Sequence, residues 1–287
     1  MQRYYRLAGV CLLLLSFVFP TSAFSNDTRA VNSDKDQLVL GLLPFVSPER
    51  LDQRFAPLAN YLSHRLDFDI AIETAPSFRE FVERTAEAKR YDLLLTAPHL
   101  YYRAQREGGY RVVARVSGPP MQAFIVAPKT SQITSIADLS GRRLATPDSL
   151  ALASLLTREL LAATSATLAA NVALVETPTH NASLFSLHHG WTDAASLMGP
   201  IFRRIAPDAK AHLRVIAKTS TTPHMPVSVA SWISAERASA FASVLIEMKN
   251  TPDGKDLLQH IGWQNFVPAQ PQDYDFFDNF AAAIDFK

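Results

Sequence analysis

Four short stretches each bring a hydroxyl and a proline together, three of them with an imidazole: Thr96-Ala97-Pro98-His99, Thr146-Pro147-Asp148-Ser149, Thr177-Pro178-Thr179-His180-Asn181 and Thr222-Pro223-His224. Each lies at or near the end of a short apolar run. Hydroxyls and backbone amides bind an oxyanion without a full countercharge, so such a site holds the anion and still releases it. An imidazole there adds one or two donors. The candidate ligand-binding residues are therefore Thr96, His99, Ser149, His180, Asn181, Thr222 and His224. The same residue types also open helices in any protein, where they cap N–H groups and fix φ.

Other chemistries have less to work with. Histidines from separate turns could converge on a divalent metal, with Asp148 or Asp193 as a carboxylate ligand, although no His-x-x-x-His spacing occurs. His188 and His189 precede Gly190 at a helix end and suit its last carbonyls. His64, His212 and His260 read as surface groups. The chain has no Gly-x-Ser-x-Gly, His-Glu-x-x-His or phosphate loop, and only 10 glycines. Ser149, His180 and Asp193 make a triad only on paper, as three such residues do in any α/β protein of this size. The expectation is a binding protein, not an enzyme, with no cofactor and no bound metal.

The elements that must position these turns alternate in type. Apolar runs at Leu38–Phe45, Phe68–Glu73 and Tyr91–Thr96 are separated by amphipathic stretches at Arg50–Arg65 and Ser77–Lys89. A second series runs through strands at Ala123–Ala127, Leu144–Thr146, Val172–Glu176, Ala194–Met198 and Leu213–Ala217, with helices near Leu150–Ala163 and His180–His189. The chain then returns to a strand at Val227–Ile233, helices at Ala235–Lys249 and Gly254–His260, and a last helix near Tyr274–Ile284. Consecutive apolar residues such as Leu93, Leu94 and Leu95 suit strands covered on both faces. The predicted fold is α/β, with two doubly wound lobes joined by a two-segment hinge. Residues 38–120 and 222–287 form the first lobe and 121–221 the second. Both crossing segments, Gly118–Gln122 and Thr219–Pro226, carry proline, which suits a hinge or an ordinary turn equally.

The N-terminus is expected to be an export signal. Arg3 and Arg6 precede an apolar run from Leu7 to Phe19, and Thr21 and Ala23 suit cleavage after Ala23. The alternatives are an uncleaved anchor and lipidation of Cys11, which sits too early in the run for a lipobox. Residues 24–37 read as a flexible leader. Cleavage removes Arg3 and Arg6 from the 28 basic residues, against 27 acidic ones, and takes the only cysteine with it. The near-neutral balance offers no polybasic surface for nucleic acid, and the mature fold cannot use disulfides.

The chain resembles the periplasmic binding proteins of phosphate, phosphite and phosphonate ABC importers, a branch of the type II binding-protein fold. The resemblance spans Leu38 to about Pro268. It rests on Gly41-Leu42-Leu43-Pro44 with Ser47-Pro48-Glu49, Arg54-Phe55-Ala56-Pro57-Leu58 with Tyr61-Leu62, Tyr91-Asp92-Leu93-Leu94, Ile136-Ala137-Asp138-Leu139-Ser140-Gly141, and Thr251-Pro252-Asp253-Gly254-Lys255. It implies a periplasmic receptor that closes two lobes on an oxyanion held between helix starts. Its expected partners are a small oxyanion and an inner-membrane ABC permease, and the chain is expected to act as a monomer. Where the family's ligand loop reads Asp-x-Ser-Thr-Ser-Gly, this chain has Asp148-Ser149-Leu150-Ala151-Leu152, with Ser154 further on as another candidate. His180 matches the family's next ligand histidine, and its inter-lobe aromatic is replaced near Met121–Phe124. Each missing hydroxyl removes a charge-assisted bond worth on the order of 1.5 to 3 kcal/mol, which favours a differently shaped ligand. Some members of the fold present ligands to sensor kinases, and the sequence leaves that role open beside import.

Overall fold

A computed structural model describes residues 37–86 and 90–280. The export signal and nearly all of the leader lie outside the described residues, as do residues 281–287, which include the end of the last predicted helix.

The chain runs β1 (Gln37–Leu42), α1 (Pro48–Ser63), β2 (Asp69–Glu73), α2 (Phe78–Ala86), β3 (Leu93–Leu95), α3 (Pro98–Gly108) and β4 (Arg111–Val116). It crosses to β5 (Ala123–Pro128), β6 (Arg143–Thr146), α4 (Leu152–Thr164), α5 (Ala166–Asn171), β7 (Ala173–Glu176), α6 (His180–His188), β8 (Ala194–Met198), α7 (Gly199–Arg204), α8 (Pro207–Ala211) and β9 (Leu213–Lys218). It returns through β10 (Pro226–Val229), α9 (Ala235–Glu247), α10 (Pro252–Ile261) and β11 (Phe266–Val267).

Among the described residues the strands form two mixed sheets, in the orders β11-β4-β10-β3-β1-β2 and β7-β6-β8-β5-β9. These are the cores of two α/β lobes. In the first sheet, β1 pairs in parallel with β2 and β3, and the returning strand β10 runs antiparallel between β3 and β4. Leu93, Leu94 and Leu95 of β3 are wholly buried, which is why their apolar run is unbroken. Gly41 stands beside them because a Cβ there would meet the Tyr91 ring at 2.5 Å.

Polar groups tie the first lobe across its layers. The buried Asp92 carboxylate accepts from the Val39 amide at 3.0 Å and from Trp232 Nε1 at 2.8 Å. Pro57, inside α1, has no N–H to give the Gln53 carbonyl one turn earlier. His260 Nε2 of α10 lies 3.1 Å from that carbonyl and supplies the donor instead.

Two of the predicted elements differ in the structure. The strand predicted over Val227–Ile233 ends at Val229, because the Ile233 amide turns back onto the Ala230 carbonyl and Ser234 caps α9. The last segment is a 3-10 helix over Pro271–Phe280, not an α-helix. Its three-residue repeat stacks Tyr274 and Phe277 on one buried face, against Tyr101 and Tyr102.

The two crossing segments, between β4 and β5 and between β9 and β10, are themselves joined. Met121 and Thr222 form an isolated antiparallel bridge, exchanging both backbone hydrogen bonds at 2.8 Å.

Candidate ligand-binding cleft

A cavity of about 300 Å³ opens between the two sheets, walled by residues of both lobes and of both crossing segments. The first lobe contributes the turn after β1, the starts of α2 and α3, and the residues after α10. The second contributes the starts of α4, α6 and α7. These are largely strand-to-helix turns at carboxyl ends of strands, where open α/β sheets bind ligands.

Three of the five helix starts at this cavity share one feature, while Thr179 caps α6 and Ser77 Oγ accepts the Glu80 amide at the start of α2. The N-cap residues of α3, α4 and α7 are Ala97, Ala151 and Met198, which have no hydroxyl or carboxylate to cap with. All three line the cavity. Elsewhere Ser165, Ser234 and Thr251 cap their helices with side-chain oxygens. The first turns of α3 and α4 thus have no side-chain cap and keep their partial positive charge for a ligand.

Of the candidate residues named from the sequence, His180 and His224 line the cavity. His180 opens α6, and its Nδ1 is buried with no partner. The Met225 amide donates to His224 Nδ1 at 2.8 Å, so the other ring nitrogen carries the proton and is the donor. Burial holds both imidazoles near a pKa of about 4. The Ser196 backbone partly offsets this at His180, and Arg203 and Arg115 reinforce it at His224. Both are therefore neutral donors or acceptors at neutral pH.

The other candidates are not part of the lining. Ser154 Oγ donates to the Pro147 carbonyl at 2.9 Å, and Thr222 Oγ1 to the Pro223 carbonyl at 3.2 Å. Thr96 Oγ1 is buried without a partner. His99 is fully buried, its Nε2 donating to the Leu150 carbonyl at 2.8 Å. Ser149 is half-buried, with its carbonyl accepting from Arg158, and Asn181 is exposed. The histidines do not converge on a common point: among the described residues no group of three His, Cys, Asp or Glu is placed to hold a metal ion. Asp148 accepts the Leu150 amide and Asp193 the Arg143 amide, so both carboxylates serve turns.

Three arginines in the lining carry the charge instead: Arg54 from α1, and Arg203 and Arg204 from the end of α7. Arg54 donates through Nε to the Ile261 carbonyl at 3.0 Å, and its Nη2 reaches the same oxygen. Its guanidinium lies 5.2 Å from the Phe55 ring centre and 5.5 Å from that of Trp263. Burial, with Arg204 nearby, pulls its pKa down to about 10. Both guanidinium groups converge on Gly262, where a Cβ would stand 2.6 Å from Arg204 Nη2 and 4.0 Å from Arg54 Nη2. Among the described residues no acidic side chain lines the cavity, and none pairs with these three arginines.

Residues 40–274 match the family model of ABC transporter, phosphonate, periplasmic substrate-binding proteins. The chain belongs to this family. Phosphonate-transporter binding proteins and their relatives also share its fold. A binding component of an ABC phosphonate transporter from Pseudomonas aeruginosa superposes with a TM-score of 0.75 at 14% identity, over 88% of this chain and 87% of that one. PhnD1 from Prochlorococcus marinus, in complex with methylphosphonate, gives 0.74 at 16%, over 86% and 97%. A Xanthomonas citri protein bound to ATP gives 0.74 at 17%, over 87% and 97%. The cleft presents Ala151, Leu152 and three guanidinium groups.

Proposed function

We propose that this chain is the periplasmic receptor of an ABC importer and that it captures a small oxyanion, of the phosphate, phosphite or phosphonate kind, between its two lobes. The observation that carries this reading is the inter-lobe cavity itself. It combines uncapped helix starts, two neutral imidazoles and three arginines, with no acidic side chain among the described residues of its wall. The polar part of this wall is attractive to an anion. The anion's charge meets guanidinium groups and helix dipoles, while His180 and His224 supply directional hydrogen bonds. Ligand enters while the lobes are apart, and the crossing segments on either side of the Met121–Thr222 bridge absorb their rotation. The receptor then docks on an inner-membrane permease. Nothing in this cycle needs a nucleophile or a general base, and the reading is of a binder without catalysis.

Calorimetric titration with phosphate, phosphite and methylphosphonate tests this. At least one should bind, and the His180→Ala/His224→Ala double variant should bind it tenfold or more weakly, since each lost bond to a charged ligand is worth about 1.5 to 3 kcal/mol. Equal affinity in the double variant would remove these histidines from the site.

A further inference from the structure

We infer that the ligand is an amphiphilic organic anion, its charged head bridging Arg54 of the first lobe and Arg204 of the second and its apolar body seated against Phe45, Phe78 and Trp263. The inference rests on the receptor reading above and names the class of solute.

Three observations lead to it. First, the two guanidinium groups converge on Gly262 from opposite lobes, and among the described residues no carboxylate pairs with either. Like charges brought together beside an apolar wall repel, and an anion held between them converts that repulsion into two charge-assisted contacts. Arginine suits the task because its planar fork matches phosphonate, carboxylate and sulfonate oxygens in pairs.

Second, the wall beyond the arginines is largely apolar. Phe45, Phe78 and Trp263 stand on the first-lobe side, and Met121, Met198 and Met225 run from the second lobe across the crossing segments. A bare inorganic anion leaves these surfaces wet or facing each other. A hydrocarbon or ring body covers them, and methionines adapt to its shape.

Third, the volume is generous. About 300 Å³ reaches the range, roughly 300 to 1,000 Å³, of sites for drug-sized ligands, whereas methylphosphonate has a single methyl group to place there. The small side chains of Ala97 and Ala151, with Gly118, widen the floor further.

Calorimetric titration with three probes separates head from body: methylphosphonate (head alone), benzyl alcohol (ring alone) and phenylphosphonate (both). Phenylphosphonate should bind at least tenfold more tightly than methylphosphonate, and benzyl alcohol should bind far more weakly than either. The exposed Arg204→Ala variant should keep the wild-type unfolding midpoint without ligand, yet lose tenfold or more in phenylphosphonate affinity. Arg204→Lys should fall between. Methylphosphonate binding as tightly as phenylphosphonate, or unchanged phenylphosphonate affinity in Arg204→Ala, would overturn the inference and leave the oxyanion receptor standing. Failure of phosphate, phosphite and both phosphonates alike would overturn the receptor reading itself.

Discussion

His99, on the first turn of α3, donates its Nε2 proton to the carbonyl of Leu150, in the turn that leads into α4 of the other lobe, at 2.8 Å. Both residues are buried, so the bond links the two lobes behind the cleft and is shielded from water. His99→Ala leaves that carbonyl unpaired and opens a cavity beside Phe277, 6.2 Å away between ring centres. It should destabilise the protein by at least about 2 kcal/mol. Thermal or urea unfolding of the variant measures this. A loss of under about 0.5 kcal/mol, the size of an ordinary surface substitution, would show that the bond does not hold the lobes.

Acid should act through the same group and its two neighbours in kind. His99, His180 and His224 are all held near a pKa of about 4 by burial, against an ordinary 6.5. The unfolded chain therefore binds more protons than the folded one between those values, so stability is full above about pH 6.5 and falls as the pH drops toward 4. At pH 5 each histidine should have cost up to about 2 kcal/mol. Unfolding midpoints from pH 8 to 5 should fall steeply below 6.5, and less steeply in His224→Phe.

Ligand affinity should show a different pH dependence. The imidazoles in the wall are neutral and the arginines stay charged, so a permanently ionised probe such as benzenesulfonate should bind equally well from pH 7 to 8.5. Affinity that declines as the pH rises through 7 would mean that a charged histidine is needed after all.

Gly262 closes α10 with a left-handed φ of 72° and gives Arg204 its place, 2.6 Å from where a Cβ would stand. Gly262→Ala should cost about 1 kcal/mol of stability through the backbone alone. It should also weaken anion binding by displacing the guanidinium, an effect absent from Gly109→Ala. That second glycine ends α3 with a similar φ of 67° but faces Ser231, away from the cleft. Titration of both variants with phenylphosphonate makes the comparison.

Much of the architecture is legible in the sequence because period and punctuation agree. The apolar runs at β1, β3, β5 and β8 are buried strands, and Pro48, Pro98 and Pro252 are the first residues of α1, α3 and α10. β4 escapes the sequence reading although Arg111–Val116 alternates inward and outward along its length, a period-two signal lying just beyond Gly108-Gly109. The 3-10 helix at the end reads as an α-helix because Tyr274 and Phe277 are three residues apart, a spacing that suits both.

The site is less legible, and for a physical reason. A search for hydroxyls at strand ends finds Thr96 and Thr222, and the resemblance adds Ser154; the side chains of all three face buried structure, while Ala97 and Ala151 are passed over. The missing side-chain caps at those alanines are themselves the feature that leaves these helix starts open to a ligand. Arg203 and Arg204 carry a usable signal: two basic residues at the end of a short helix beyond β8, after Gly199-Pro200. The convergence of Arg54 and Arg204 depends on how two lobes meet, which no local pattern encodes.

The most direct test of an anion-closing cleft is the unfolding midpoint of the purified protein with phosphate, phosphite, methylphosphonate and phenylphosphonate, each at increasing concentration. An anion at 100 times its dissociation constant should add about 2.7 kcal/mol, a rise of several degrees. That rise should be largest for phenylphosphonate and should shrink in Arg204→Ala. Midpoints that stay flat with every anion would contradict an anion-binding cleft.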